Sequence, residues 1–511
     1  MLALQITVSV INAMLLCGLG VRLVHMFQLG GYKKRTFSKW VVSNGFHNIV
    51  TLLALALLGF GSASILYLHT STLWAYFGLL GYLGLCIAAI ILYFTRKHKT
   101  PIKFTPRVFR LLFVITIFSG CLSYVMLYFL PGAQYLPLLL LVLPVITMIA
   151  AIVLCPLEAL VKMSYIRRAK RKLFSPKYQH LIRIGIAGSH GKTTCKNILA
   201  AMLSKKYRVI TSPASFNTPM GFTRTVLEKL STEDQVFIME MGERHPGDIR
   251  EMCKLLKPHH AILTSVGTAH LETFKTPEAI RDELYELVNA VPEGGIKVTG
   301  EESPKGKVYK TKLLGAHNQQ NINLCAQMAA GLGVSDEDIR AAVLELEPVP
   351  HRLQLIESPN GVKILDDSYN SSPHTVMAAL EVLKQLKEGK ISASSDTCGE
   401  RLACGGTKQV SESSTIPSAC VMTPGMVELG KQQGYVENFN FGKTLATVAD
   451  HVIIVGETNR KAIRLGLLEG GFTESNIHLA TDVTNAKKLF PKLLKPGDIL
   501  LISNDLPDNF T

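Results

Sequence analysis

The sequence predicts an α-helical membrane domain followed by an α/β body, and three observations predict it. First, 48% of the 511 residues are hydrophobic and only 18% charged, with a mean hydropathy of +0.24. That composition excludes a disordered or fibrous chain and points toward membrane insertion. Second, the charge is unevenly spread. Of 54 basic and 39 acidic residues, residues 1–180 hold 18 basic ones and a single acid, Glu158, for a net +17. The other 36 bases and 38 acids leave −2 on the rest of the chain. The basic excess therefore belongs to the hydrophobic third, which fits an anchor and excludes a nucleic-acid surface. Third, from His180 onward short apolar strands alternate with helical segments, the texture of an α/β fold.

Apolar runs able to cross ~30 Å of hydrocarbon need about 20 helical residues. They occur at 2–21, 46–68, 73–94, 109–130 and 135–161. The first exceeds a signal-peptide core, lacks a basic leader and precedes further runs, so it reads as a retained span. Lys33, Lys34, Arg35 and Lys39 follow the first run; Arg96, Lys97, Lys99, Lys103 and Arg107 follow the third. Arg167, Arg168, Lys170, Arg171 and Lys172 follow the fifth, while the loops 69–72 and 131–134 hold no Lys or Arg. Positive-inside reasoning gives an outside N-terminus, five spans in the cell membrane and a cytoplasmic C-terminal two-thirds. The apolar cores hold no acid, and His47 and Arg22 sit at span ends where snorkelling accounts for them. These spans read as an anchor in the lipid bilayer. The ten cysteines, four in the spans and six in the body, show no framework spacing, so reduced thiols are expected.

In the body, residues 183–187 form a strand, followed by Gly188-Ser189-His190-Gly191-Lys192-Thr193-Thr194 and a helix over 195–205. Strand, glycine loop and helix is the context of a phosphate-binding loop: backbone N–H groups and the helix N-terminus face the phosphates, Lys192 reaches the outer oxygens, and a hydroxyl holds Mg²⁺. Ile186 stands where the commoner form of this loop has its first glycine. The next strands end at Glu240-Met241-Gly242 and at Ser265-Val266-Gly267-Thr268-Ala269-His270. Ligands gather at strand carboxyl ends in open α/β sheets, where Glu240 and His270 can meet that loop and suit Mg²⁺; a surface glutamate and a loop histidine are the bland account of each. Three polar clusters follow: His317-Asn318-Gln319-Gln320-Asn321, His351-Arg352, and Asp366-Asp367-Ser368-Tyr369-Asn370-Ser371-Ser372-Pro373. Amides suit an adenine edge, a carboxylate suits ribose hydroxyls, and arginine suits phosphate charge. Capping and turn chemistry is the bland account of any one cluster.

Taken in order, these segments resemble the Mur ligases, most nearly the type that adds D-alanyl-D-alanine to the peptidoglycan precursor. Thr268-Ala269-His270-Leu271-Glu272, His351-Arg352-Leu353-Gln354, Thr423-Pro424-Gly425-Met426-Val427-Glu428-Leu429-Gly430 and the closing Asn504-Asp505-Leu506-Pro507-Asp508-Asn509 add to the likeness, which covers about two-thirds of the chain. The resemblance implies a P-loop Mur-ligase central domain and a Rossmann-like C-terminal domain acting as a mobile lid. It also implies an ATP-dependent ligase that phosphorylates a carboxylate to an acyl phosphate for attack by an amine. On that basis Lys192, Glu240 and His270 are the catalytic set. Gly188, Ser189, Gly191, Lys192, Thr193, Thr194, His317, Asn321, Arg352 and Asp367 contact the nucleotide, and Thr193, Glu240 and His270 hold Mg²⁺. The implied partners are a peptidoglycan precursor or related carboxylate and an amine such as D-alanyl-D-alanine.

The expected division is an anchor over 1–165, a basic linker over 166–179, a shortened ATP-binding central domain over 180–313 and a C-terminal domain over 314–511. An insertion over 391–420, rich in Ser, Thr and Gly, interrupts the last of these. Its Cys398, Cys404 and Cys420 lack paired zinc spacing. Five spans stand where family members carry a UDP-binding domain, so UDP-sugar recognition does not carry over. Leu284 falls where members bear a lysine, modified to a metal-holding carbamate, and about 15 residues join Gly300 to Leu314. Two alternatives stay open: an ATP-binding but catalytically weak relative acting as a scaffold or regulator of wall assembly, and a transport-linked ATPase.

Overall fold

The computed structural model describes residues 2–43, 72–95, 100–130, 133–213, 216–267, 271–301, 306–369, 373–390, 416–426 and 431–503. Contacts divide the described chain into two units, one ending at Ser164 and the other beginning at Tyr165.

The first unit is helical: α1 (Leu2–Leu29), α2 (Lys34–Ser43), α3 (Thr72–Thr95), α4 (Pro106–Phe129), α5 (Leu139–Val153) and the start of α6 (Cys155–Leu173). Leu2–Leu29, Pro106–Phe129 and Tyr135–Val153 are long and apolar enough to cross a membrane. The expected run 46–68 lies outside the described residues. The run 135–161 is not one continuous helix: a 3₁₀ turn at Ala133–Leu138 precedes α5, and a new helix begins at Cys155. The apolar stretch ends before Glu158, whose carboxylate pairs with Arg110 at 2.7 Å and Arg107 at 3.6 Å. Between the helices, buried Asn12 donates to Ser123 Oγ at 2.9 Å and accepts from Tyr82 at 3.0 Å. Apolar surroundings give such groups no other partner, so the polar contacts tie α1, α3 and α4 together.

In the second unit, β1 (Ile182–Ala187), β2 (Val209–Thr211), β3 (Val236–Glu240), β4 (His260–Leu263) and β5 (Lys297–Thr299) form a parallel sheet in the order β2-β3-β1-β4-β5. Side chains alternate faces along a strand. Ile184, Ile186, Val236, Ile238 and Ile262 enter one core, while Phe237, Met239, Ala261 and Leu263 enter the other. Helix α7 (Lys192–Leu203) covers the first face; α8 (Pro219–Glu228), α9 (Asp248–Leu256) and α10 (Pro277–Asn289) cover the second. Two later helices, α11 (Ala316–Gly331) and α12 (Asp336–Leu344), also join the first core through Ile322, Met328, Ile339 and Val343. Packing thus carries the first layered body to Leu346, past the 313/314 boundary expected from the motifs.

The second sheet runs β10-β9-β8-β11-β7-β6, with β6 (Gln354–Glu357), β7 (Lys363–Asp367), β8 (Ala419–Thr423), β9 (His451–Val455), β10 (Ile477–Ala480) and β11 (Ile499–Ser503). All pairings are parallel except β6 with β7. Helices α13 (Pro373–Lys387), α14 (Lys431–Val448) and α15 (Arg460–Glu469) flank it. The expected insertion ends earlier than 420: Ala419–Thr423 is buried throughout as a central strand, and Cys420 is a core residue. Residues 391–415, with Cys398 and Cys404, lie outside the described residues.

Candidate functional site

Between β1 and α7 the chain turns through Gly188 and Gly191, with φ of +140° and +80°. A Cβ on Gly188 would lie 2.1 Å from Thr264 Oγ1, and one on Gly191 2.8 Å from Asn321 Oδ1. Both positions therefore require glycine, for conformation and for space. Ser265 pins the turn: its carbonyl accepts from Ser189 N–H at 2.8 Å and its hydroxyl from His190 N–H at 3.2 Å. The Ser189 hydroxyl accepts from Gly267 N–H at 2.9 Å, so it joins two loops. Gly191 caps α7 without a side chain, which leaves the first-turn amides of Lys192, Thr193 and Thr194 at a positive helix end.

Two buried carboxylates face this loop. Glu240, at the end of β3, accepts from Thr193 Oγ1 at 2.9 Å, lies 3.3 Å from Lys196 Nζ, and meets Asn217 Nδ2 at 3.4 Å. Glu240 and Lys196 are each 2% exposed. Burial pushes the Lys196 ammonium below its ordinary range, and Glu240 pulls it back up. Glu243, 1% exposed, holds Lys192 Nζ at 3.0 Å from both of its oxygens, and that ammonium also donates to Gly188 O.

The second sheet brings its own groups to the loop. Arg352 lies between His351 and Leu353, whose φ values of 64° and 48° are costly for residues with a Cβ. Tyr369 N–H donates to His351 O at 3.1 Å, and His351 Nδ1 lies 2.8 Å from Asp366 Oδ2, which holds this turn. Arg352 stacks 4.4 Å over the Tyr369 ring and reaches Thr193 Oγ1 at 3.5 Å. Asp367 Oδ1 accepts from Leu353 N–H at 3.2 Å, whereas its buried Oδ2 has no partner among the described residues. Burial pushes the Asp367 carboxyl up to about 7.

Asn321 lies against Gly191 of the same loop, and His317 lies near His374, whose ring stacks on His190. Burial, with His374 nearby, pushes His317 down to about 4, so its imidazole is neutral at physiological pH. Asn321 accepts from Cys195 Sγ at 3.3 Å against Gly191. The His190 and His374 rings stack 5.6 Å apart. His270 lies outside the described residues, and among the described residues no three His, Cys, Asp or Glu are grouped to hold a metal.

Leu284 is fully buried in the apolar cluster with Met241, Ile280 and Leu287. The adjacent Glu283 accepts from the N–H groups of Gly247 and Ile249, both at 2.7 Å, at the start of α9. Helix α10 thus directs its polar group to a helix end and not to the phosphate loop. Sequence reasoning missed Glu243, Lys196, Asn217 and Ser265. Lys196 was detectable as a lone cation on an apolar face of α7; Glu243 offered only its place three residues after Glu240.

Residues 186–319 match the family described as Mur ligase middle domain. The chain carries that domain and has the fold of the Mur ligases. The Mur-type relatives include the UDP-N-acetylmuramoyl-tripeptide–D-alanyl-D-alanine ligase of Bacillus subtilis, 28% identical over 40% of this chain and 53% of its own length. That of Mycobacterium leprae is 26% identical over 62% of this chain and 70% of its own. Across the five first matches the chain spans about half the relatives' length. MurF of Thermotoga maritima, solved with ADP, superposes with a TM-score of 0.52 at 24% identity, covering 67% of this chain and 80% of that one. MurF of Acinetobacter baumannii gives 0.53 at 22% identity, over 67% and 78%. The Mur-type loop here fits a magnesium nucleotide on its own chemistry: Thr193 and Glu240 are adjacent hard oxygen donors, and Asp367 Oδ2 is a buried oxygen without a partner among the described residues.

Proposed function

We propose that this chain is a membrane-anchored, ATP-dependent ligase that joins a carboxylate to an amine in peptidoglycan precursor synthesis. The observation that carries this reading is the approach of Arg352, from the second α/β body, to within 3.5 Å of Thr193 in the phosphate loop. A lone glycine loop serves any nucleotide protein. A loop with Glu240 on one side and a strained arginine turn on the other suits transfer of a phosphoryl group to a substrate sheltered from water. ATP supplies the phosphoryl group that activates the carboxylate, and Mg²⁺ neutralises its charge. The α7 amides and Lys192 orient the phosphates. Thr193 and Glu240, with His270, hold the metal, and Arg352 faces the transferring group. Asp367 accepts a ribose hydroxyl at Oδ2, while His317 and Asn321 border the base.

The relatives' names supply the substrates of the proposal: a muramoyl-tripeptide as donor and D-alanyl-D-alanine as acceptor. Three long apolar helices and the basic loops support placement in the cell membrane, with the ligase body in the cytoplasm. The test is phosphate release by the detergent-solubilised chain with Mg²⁺, with and without that donor and acceptor, beside a Lys192→Ala control. Release that needs both substrates and vanishes in the control supports the ligase. ATP binding without release in the presence of both substrates refutes it and turns attention to a scaffold.

A further inference from the structure

We infer that Glu243 is a built-in counter-ion of the phosphate loop that makes nucleotide binding depend on a divalent cation. This rests on reading the loop as an ATP site. Both Glu243 oxygens lie 3.0 Å from Lys192 Nζ, the carboxylate is 1% exposed, and the same ammonium donates to Gly188 O. The second loop-facing lysine is matched in the same way: Lys196 lies 3.3 Å from Glu240, which also accepts from Thr193. Half-buried Lys192 and buried Lys196 thus each have a buried carboxylate, and the two pairs carry no net charge.

A polyanion therefore meets two lysines already engaged by carboxylates, with Arg352 and the α7 amides also at the loop. For Lys192 to reach phosphate oxygens it must leave Glu243. A carboxylate stranded out of water beside triphosphate is repelled by it and cannot regain its hydration. Arrival of a divalent cation between the carboxylates and the phosphates relieves that state. Glu240 and Glu243 leave the end of β3 three residues apart, on the side of the loop where Thr193 presents its hydroxyl. A magnesium ion entering with the nucleotide takes over the charge that Lys192 gave up. Bare ATP brings no such compensation. Glu243 thereby discriminates magnesium-bound nucleotide from free nucleotide; it is a positioning residue for Lys192 and not a group that touches the reacting atoms.

The test is ATP binding by calorimetry to the full chain in detergent, in excess Mg²⁺ and in EDTA, for wild type, Glu243→Gln and Glu243→Asp. Wild type and Glu243→Asp are expected to bind ATP at least ~30-fold more tightly with Mg²⁺ than in EDTA, and Glu243→Gln to lose at least about tenfold of that ratio by binding metal-free ATP better, since removing a stranded buried charge is worth more than one decade of affinity. A Glu243→Gln ratio equal to wild type overturns the inference and leaves the nucleotide site standing. A wild-type affinity indifferent to Mg²⁺ also overturns it, even if Glu243→Gln does not fold. No ATP binding by wild type under either condition overturns the nucleotide-site reading itself and this inference with it.

Discussion

Replacing Lys196 by Met removes a buried ammonium while keeping most of its aliphatic volume, so the effect isolates charge. Glu240 would remain, 2% exposed, with the Thr193 hydroxyl and the Asn217 amide as its partners among the described residues. Orphaning one member of a buried ion pair costs about 3–5 kcal/mol. The expected loss at neutral pH is therefore about 3–4 kcal/mol. Thermal unfolding of the full chain in detergent at pH 7.5 measures it. At roughly 2–4 °C per kcal/mol, the Tm deficit should reach about 6–15 °C. Lys196→Met combined with Glu240→Gln should recover more than half of it. A deficit below about 1 kcal/mol, or no recovery in the double variant, would refute the reasoning that this pair is mutually dependent.

Further outcomes follow from neighbouring groups. Asp367, held near 7, keeps a proton in the folded chain between about pH 4 and 7, so it costs stability as pH climbs, on the order of 4 kcal/mol in all. Asp367→Asn should flatten the pH dependence of Tm across that range. Arg352→Ala should weaken Mg·ATP binding by calorimetry about tenfold or more, and Arg352→Lys should not restore it, because a compact ammonium cannot stack on Tyr369 while contacting Thr193. Leu284→Lys places an ammonium in a sealed apolar cluster and should lower Tm by several degrees without adding Mg²⁺-dependent turnover, whereas Leu284→Met should cost less than about 1.5 kcal/mol. Turnover that rises sharply in Leu284→Lys would show that this helix position can still serve the site.

Much of this was legible because the signals were local. The phosphate loop declared itself through glycines whose positions are forced by φ and by contact with Thr264 and Asn321, and through the strand and helix on either side. Glu240 ends β3 beside Thr193, a position legible because a strand's carboxyl end is a sequence feature. Arg352 was legible as a residue type; its pairing with Thr193 depends on a long-range approach between two layered bodies and on two left-handed residues that no pattern announces. The packing of α11 and α12 on the first sheet, across the 313/314 boundary expected from the motifs, is long-range in the same way. The polar cluster beginning at His317 resembles the start of a new domain, but the helix that carries it buries Ile322 and Met328 against the first sheet.

The charge balance of the loop was the least legible feature, and it changes how the loop works. From sequence, Lys192 is a cation waiting for phosphate. In the folded chain it already holds a partner, and so does Lys196. Glu243 and Lys196 belong to no pattern that defines the loop, yet they decide the free energy at which Lys192 becomes available. Had both lysines stood unpaired, the site would attract any polyanion, phosphate and free nucleotide included, and a buried cluster of like charges would weaken the fold. Pairing each lysine with a buried carboxylate removes that penalty and transfers the selectivity to whatever can neutralise the displaced carboxylate. A divalent cation arriving with the triphosphate does so, and a monovalent counter-ion carries too little charge. The two ion pairs therefore stabilise the folded loop and set its selectivity through the same contacts.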